Sequence, residues 1–205
     1  MTAPIPPYAL AAALRARLHR RQRLAVRLDG YRESAVLVPI LVEEEVPPRL
    51  VFIERLARMR AHAGQVAFPG GARDPGDADL VATALREADE ELAIPAQSVD
   101  VLGVLDDVPT PTGYVITPVV GLVRGPVALV PSPDEVAALF FAEVDLLRDP
   151  ARYRSTGERE FLGIRYAMHE YHWERWRIWG ATARMVTQLF ELLDGGGPHG
   201  DEEAR

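Results

Sequence analysis

Residues 70–94 read GGARDPGDADLVATALREADEELAI, and this stretch predicts a loop that leads into a helix. Two adjacent glycines open it, and because they lack a Cβ atom they allow the backbone to approach another group closely. The periodic pattern that follows predicts a helix from about Asp79 to Leu92, which Pro95 stops. The loop and the helix together are the most informative part of the chain.

Three glutamates share one side of the predicted helix. At about 100° per residue, Glu91 lies roughly 40° from Glu87, and Glu90 lies roughly 60° away in the other direction. The opposite side carries an apolar packing stripe, formed by Val81, Ala84, Leu85, Ala88 and Leu92. We therefore expect the helix to pack through its apolar face and to present a carboxylate cluster outward.

A cluster of like charges needs a compensating cation. Carboxylates one turn apart destabilise a helix by about 0.2–0.5 kcal/mol per pair, and Arg86 offsets part of that repulsion. On its own, LREADEEL is also typical of a solvated helix face, so the loop ahead of it carries the inference. A strand, a glycine pair, a loop and an acidic helix can place a backbone carbonyl beside carboxylates, an oxygen ligand set that suits Mg²⁺.

The spacing of these residues resembles the Nudix box, G-x5-E-x7-R-E-U-x-E-E-x-G-U with U apolar. The chain reads Gly71-x5-Asp77-x8-Arg86-Glu87-Ala88-x-Glu90-Glu91-x-Ala93-Ile94. Asp77 replaces Glu, Arg86 comes one residue later, and Ala93 replaces the usual Gly. The first two departures are features of the coenzyme A diphosphatase subfamily, whose box reads GG-x-x-D-P-x-D followed by TALREAxEE.

A second motif, directly upstream, is similar to the signature LLTxRSxxxRxxxGxxxFPGG of that subfamily. The stretch VFIERLARMRAHAGQVAFPGG at residues 51–71 keeps its Arg55, Arg60, Gly64, Phe68, Pro69, Gly70 and Gly71. Ile53 and Leu56 replace the Thr and Ser of the signature. The likeness covers about residues 35–190, and it includes LDDVPTPTGYVITPVVGLV from Leu105 and IWGATAR from Ile178.

The resemblance implies an α/β fold, an α/β/α sandwich with a mixed β-sheet, in which the box forms a loop–helix–loop metal site. It implies that Mg²⁺ or Mn²⁺ is held by Glu87, Glu91, Glu90 and the Gly71 carbonyl. Glu90, Glu87 and Arg86 are the implied catalytic group, in which Arg86 orients a box glutamate. Arg55, Arg60 and Gly70 are the implied substrate-binding residues, since a guanidinium can grip phosphate by a bidentate contact.

The implied reaction is metal-dependent hydrolysis of the pyrophosphate bond of coenzyme A or a derivative. Its products would be 4′-phosphopantetheine and adenosine 3′,5′-bisphosphate, and a carboxylate of the cluster would take the proton of the attacking water. Which carboxylate does so is open. Two other functions also remain open: a Nudix diphosphatase for another substrate, such as ADP-ribose, and a catalytically silent Nudix domain that senses a ligand.

Composition limits the possible partners. The chain has 205 residues, of which 48% are hydrophobic and 26% charged, proportions typical of a globular protein. A net charge of −7 argues against nucleic acid and anionic membranes as partners, and the resemblance implies a small-molecule substrate, coenzyme A or a derivative. The absence of cysteine excludes disulfides, zinc–thiolate sites and a thiol nucleophile. All 23 basic residues are arginine, so every cation available for phosphate is a guanidinium.

We expect one domain over residues 1–193, a disordered tail over residues 194–205, a cytoplasmic location in a bacterium, and a monomer or homodimer. The longest apolar run, residues 35–42, is too short to span a membrane. Further predicted elements are helices at 8–23 and 178–193, an extended piece at 65–68, and strands at 34–42, 50–54, 99–108, 114–123 and within 158–174.

Overall fold

The computed structural model describes residues 7–56 and 64–195. Within these residues the helices are α1 (Pro7–Arg20), α2 (Leu80–Leu92), α3 (Val144–Leu147) and α4 (Gly180–Asp194). The strands are β1 (Arg32–Glu43), β2 (Val46–Arg55), β3 (Val66–Ala67), β4 (Gly70–Ala72), β5 (Val99–Val104), β6 (Val108–Pro109), β7 (Tyr114–Arg124), β8 (Val136–Glu143), β9 (Tyr153–Phe161), β10 (Ile164–Trp173) and β11 (Trp176–Trp179).

Eight strands form the main sheet. Its central order is β3-β2-β1-β7-β5, while β4 pairs with β1, β6 with β7 and β8 with β2. β1 and β7 run parallel from the pair Arg32 and Tyr114 to the pair Val42 and Arg124, and the other pairings are antiparallel. The sheet is therefore mixed, as the sequence predicts.

Helices cover both faces of this sheet. Alternate side chains of β1 point to opposite faces: Leu37 packs in one apolar cluster with Ala84 and Ala88 of α2. Ile40 lies in the other cluster, which contains residues of α1 and α4 such as Leu14 and Val186. The predicted α/β/α sandwich is confirmed.

The first helix is shorter than the predicted 8–23. Leu10, Leu14 and Leu18 are buried as the helical spacing predicts, but α1 ends at Arg20 because the chain beyond it is held by aspartates 106 and 107. Leu24 N–H donates to Asp106 Oδ1 at 2.7 Å. Arg23 Nη2 and Val26 N–H donate to the Asp107 carboxylate at 2.5 and 2.9 Å. Residues 105–107, Leu-Asp-Asp, thus hold the extended stretch after α1 against the main sheet.

A second sheet has the strand order β11-β10-β9. The sequence predicts this region only as strand-like pieces within residues 158–174. The last strand of this sheet delays the start of the final helix to Gly180, because Ile178 and Trp179 pair with Tyr171 and Glu170 of β10. The helix then continues to Asp194 and ends at Gly195, which has a φ of 77°. The remainder of the predicted tail, residues 196–205, lies outside the described residues.

None of the helices in the described ranges is both long and apolar enough to span a membrane.

Candidate active site

The glycine pair places the backbone of β4 between β1 and the box helix. Gly70 pairs with Val36 of β1, and a Cβ atom on Gly70 would collide with the β1 backbone. A Cβ atom on Gly71 would collide with the carboxylate of Glu87. The β1 backbone cannot give way, so position 70 requires glycine, while a Cβ at position 71 would make the Glu87 side chain move. The predicted close approach is to β1 on one side and to a site glutamate on the other.

The box helix begins and ends at the expected residues. The Asp79 side chain caps its first turn by accepting from Ala82 N–H at 2.8 Å. At the other end Ala93 has a φ of 53°, in the left-handed region, and its N–H donates to Asp89 O at 2.8 Å. The usual Gly of the Nudix box stands at this position, so Ala93 occupies a conformation that favours glycine.

Asp77 and Arg86 tie the loop to the helix. Arg86 Nε and Nη2 donate to the two Asp77 oxygens, each at 3.0 Å, and Asp74 N–H and the Thr83 hydroxyl donate to Oδ2 at 2.9 Å. The Arg86 hydrogen bonds hold the pKa of Asp77 well below its usual range, and those to Asp77 raise the pKa of Arg86. The Asp in place of the box Glu thus forms a bidentate pair.

The same guanidinium holds two of the predicted site glutamates. Arg86 Nη1 lies 2.9 Å from Glu87 Oε1 and 3.0 Å from Glu90 Oε2, while Nη2 donates to Ala72 O at 3.1 Å. Burial raises the pKa of the Glu87 carboxyl, although the Arg86 hydrogen bond opposes that shift. Glu90 is exposed. The structure therefore places Arg86 beside two of the box glutamates.

The third glutamate does not share the outward face, so that expectation is wrong for Glu91. Its side chain is fully buried between α2 and β4, where Gly70 N–H donates to Oε2 at 2.9 Å. Oε1 makes an ion pair of 3.1 Å with Arg55 Nη2 but accepts no hydrogen bond from the part of the chain that the structure describes. Burial raises the pKa of Glu91 to about 7. The inward direction is stabilised by the Gly70 N–H and the Arg55 guanidinium, which meet the carboxylate from β4 and from the end of β2.

Two residues outside the box reach Glu91 or its neighbours. Arg55, a predicted phosphate ligand at the end of β2, also donates from Nη1 to Gly70 O at 3.3 Å and lies 4.0 Å from Glu135 Oε2. Sequence reasoning missed Glu135, whose only signal is an acidic pair in the loop before β8. Two backbone hydrogen bonds fix this loop: Ser132 N–H donates to Glu91 O, and Leu56 N–H donates to Glu135 O. Arg60, the other predicted phosphate ligand, lies outside the described residues.

The departures from the upstream signature differ in their surroundings. Ile53 is fully buried in the apolar cluster beneath α2, so the side chain at this position packs against the helix instead of facing the site. Leu56 is half-buried at the edge of the site, next to the hydrogen bond to Glu135 O. Of the two lost polar groups, only the one at Leu56 lies beside the carboxylates.

The residues present fit a hard divalent cation. Within residues 7–56 and 64–195, no three acidic or histidine side chains converge on one point, because Arg55 and Arg86 stand between the carboxylates. The donors are nevertheless all oxygens, as Mg²⁺ and Mn²⁺ prefer: the side chains of Glu87, Glu90, Glu91 and Glu135, with the Gly71 carbonyl that the resemblance implies. One of them, Glu91 Oε1, is buried without a hydrogen bond to any described residue, and charge repulsion from Glu87 and Glu135 contributes to the raised pKa of Glu91.

Known proteins resemble this chain over most of its length. The NUDIX domain family matches residues 31–188. A protein of Photorhabdus laumondii, named "Uncharacterized Nudix hydrolase NudL", is 41% identical over 167 residues, which make up 80% of this chain and 87% of that protein. NudL of Cronobacter sakazakii is 45% identical over 163 residues, 77% of this chain and 81% of that protein. A MutT/nudix family protein from Enterococcus faecalis shares the fold with a TM-score of 0.53, at 14% identity, over 88% of this chain and 68% of that one.

Proposed function

The chain belongs to the Nudix family, and on that premise we propose that it hydrolyses the pyrophosphate bond of coenzyme A or a coenzyme A derivative. One observation carries the substrate class: the upstream signature and the box, each similar to the coenzyme A diphosphatases, meet in one site. Arg55 of the signature lies 3.1 Å from Glu91 of the box. The products would be 4′-phosphopantetheine and adenosine 3′,5′-bisphosphate.

The proposed metal ligands are Glu87, Glu91 and Glu90 with the Gly71 carbonyl. When bound, Mg²⁺ or Mn²⁺ neutralises pyrophosphate charge and lowers the pKa of a coordinated water. Arg86 is a positioning residue, since its Nη1 contacts Glu87 and Glu90 and would fix their orientation. Gly70 contributes backbone: its N–H orients Glu91, and its carbonyl orients Arg55.

Hydrolysis needs a water nucleophile and a proton acceptor. The water oxygen forms a bond to one phosphorus, the bond from that phosphorus to the bridging oxygen breaks, and the proton of the water passes to a carboxylate. Glu90 and Glu87 are the candidates for that acceptor. Arg55, with Arg60, would bind a phosphate oxygen and so hold the pyrophosphate against the carboxylates.

The test is incubation of the purified protein with coenzyme A and MgCl₂ or MnCl₂, followed by mass identification of the products. We expect 4′-phosphopantetheine with adenosine 3′,5′-bisphosphate, no reaction in EDTA, and a loss of several orders of magnitude in turnover for Glu87→Gln or Glu91→Gln with the fold retained. Asp89→Asn, an exposed change on the same helix, is the matched control.

ADP-ribose and a diadenosine polyphosphate are assayed in parallel. Turnover of one of these without cleavage of coenzyme A would keep the proposed catalytic site but contradict the proposed substrate. Retained turnover in Glu87→Gln and Glu91→Gln would contradict the site assignment. The absence of any turnover would favour the ligand-sensing alternative.

A further inference from the structure

Arg55 lies inside the site, and its guanidinium already contacts groups of the protein. Its side chain is only 16% exposed and contacts Glu91 Oε1 at 3.1 Å, Gly70 O at 3.3 Å and Glu135 Oε2 at 4.0 Å. Its backbone is fixed as well, because Arg55 N–H donates to Gln65 O and Arg55 O accepts from Gly64 N–H, each at 3.0 Å. The guanidinium is thus directed at the buried carboxylate from a residue whose backbone N–H and carbonyl are both hydrogen-bonded.

The Glu91 carboxylate depends on a cation. A carboxylate removed from water is strongly destabilised unless an opposite charge and hydrogen bonds compensate. Gly70 N–H supplies a hydrogen bond to one oxygen, and within residues 7–56 and 64–195 Arg55 is the cation in contact with the other. The second arginine of the site, Arg86, is bound to Asp77, Glu87 and Glu90. Arg55 therefore provides the charge that makes an ionised Glu91 tolerable at this depth.

We infer that Arg55 is a replaceable counter-cation: it neutralises Glu91 in the metal-free protein and exchanges that carboxylate for a substrate phosphate once a divalent ion binds Glu91. The inference rests on the proposed function, because it takes Glu91 as a metal ligand. Carboxylate and phosphate present similar pairs of oxygens to the planar fork of arginine, so the same guanidinium suits both partners. Metal binding at Glu91 thereby frees Arg55 to bind phosphate, so metal binding and substrate binding are coupled.

Removal of the Arg55 charge should strengthen metal binding. We expect Arg55→Gln to bind Mn²⁺ about tenfold more tightly than the wild type, because a competing positive charge is gone; titration calorimetry without substrate measures this. The thermal unfolding midpoint should rise more on addition of Mn²⁺ than it does in the wild type. Two control variants should leave the Mn²⁺ affinity within about twofold. Arg55→Lys keeps the positive charge at the site. Arg49→Gln removes a charge on β2, the strand of Arg55, and breaks only the ion pair with Glu43 of β1.

The phosphate side of the exchange has its own measurement. Glu91→Gln frees the guanidinium without any ion, so in EDTA it should bind adenosine 3′,5′-bisphosphate several-fold more tightly than the wild type. The combined variant with Arg55→Gln should lose that gain. Binding in EDTA that is equally weak in Glu91→Gln and in the wild type would contradict the exchange.

Each other outcome is also decisive. If Arg55→Gln does not fold in EDTA, it is refolded in saturating Mn²⁺; recovery supports replacement of the guanidinium by the ion, and failure to recover overturns it. Unchanged or weaker Mn²⁺ affinity of folded Arg55→Gln also overturns the counter-cation inference. The proposed function still stands in that case if the wild type binds Mn²⁺. A wild type that binds no Mn²⁺ would contradict both the inference and the proposed function.

Discussion

At the scale of single residues, Ala93 carries backbone strain at the end of the box helix. Its φ of 53° closes the helix with a hydrogen bond from its own N–H to Asp89 O. In the left-handed region an L-residue with a Cβ atom loses roughly 1–2 kcal/mol relative to its preferred conformations. The chain retains the helix end of the Nudix box without the glycine that relieves this strain.

Ala93→Gly should therefore stabilise the protein, by about 0.5–1 kcal/mol in the free energy of unfolding measured by urea denaturation. Ala82→Gly, the same change within the same helix, should destabilise it by about 1 kcal/mol, since glycine weakens a helix interior. The opposite signs separate strain relief from a general effect of glycine. An Ala93→Gly protein as destabilised as Ala82→Gly would show that the left-handed conformation is not strained.

At the scale of elements, the box loop and α2 act as one unit, and Asp77 joins them. Its bidentate pair with Arg86 fixes the guanidinium whose other nitrogen contacts the carboxylates of Glu87 and Glu90. The loop thus controls the helix face through one arginine. A side chain that touches neither metal nor substrate can influence both through this contact.

Asp77→Ala should lower kcat by about 10–100-fold and weaken Mn²⁺ binding, because the second set of contacts around a metal site orients its ligands. Circular dichroism should still report a folded protein. Asp74→Ala is the control: Asp74 lies 4.0 Å from Arg86 and is 67% exposed, so its kcat should change by less than about threefold. Equal losses in the two variants would count against a positioning role for Asp77.

At the scale of the whole molecule, the second sheet joins the main one through stacked rings and a hydrogen bond, both made by Trp176 of β11. The Trp176 ring stacks on Phe140 of β8 with ring centroids 4.0 Å apart, and its Nε1 donates to Glu54 Oε2 of β2 at 3.3 Å. Within the second sheet, Arg177 Nε donates to Glu170 Oε2 at 2.6 Å, and His172 Nε2 lies 2.8 Å from Oε1.

The Glu170 carboxylate should make folding stability depend on pH. Hydrogen bonds with His172 and Arg177 hold its pKa below the usual value, so the native state binds fewer protons there than the unfolded state. This stabilisation is present above about pH 4.5 and is lost as the pH falls through the native pKa. We expect Glu170→Gln to lower the free energy of unfolding by about 1–2 kcal/mol at pH 7.

The difference between Glu170→Gln and the wild type should shrink as urea denaturation is repeated toward pH 3. Glu158→Gln, an exposed change on β9 of the same sheet, should have no effect at either pH. A destabilisation by Glu170→Gln that stays constant with pH would assign the loss to packing instead of to the charged hydrogen bonds.

The local features of this protein could be predicted from its sequence alone. The apolar stripe and the stop at Pro95 predicted α2 to within a residue of its observed bounds, and the glycine pair predicted a close backbone approach. Apolar runs predicted β1 and β7, and the box with its upstream signature led to the Nudix fold that the family match supports. These features follow from residues that are near one another in the chain, where helical period, apolar runs and chain breakers act.

What surrounds each charge depends on the tertiary structure. Helical geometry placed Glu91 beside Glu87, but its burial depends on β4 and the end of β2, which bring the Gly70 N–H and the Arg55 guanidinium to its carboxylate. Arg55 is 36 residues before Glu91, and Glu135 is 44 residues after it; no local pattern brings the three together. Their meeting point is fixed by strand pairing and by backbone hydrogen bonds from distant loops, because side chains far apart in sequence become neighbours only when the whole sheet has formed.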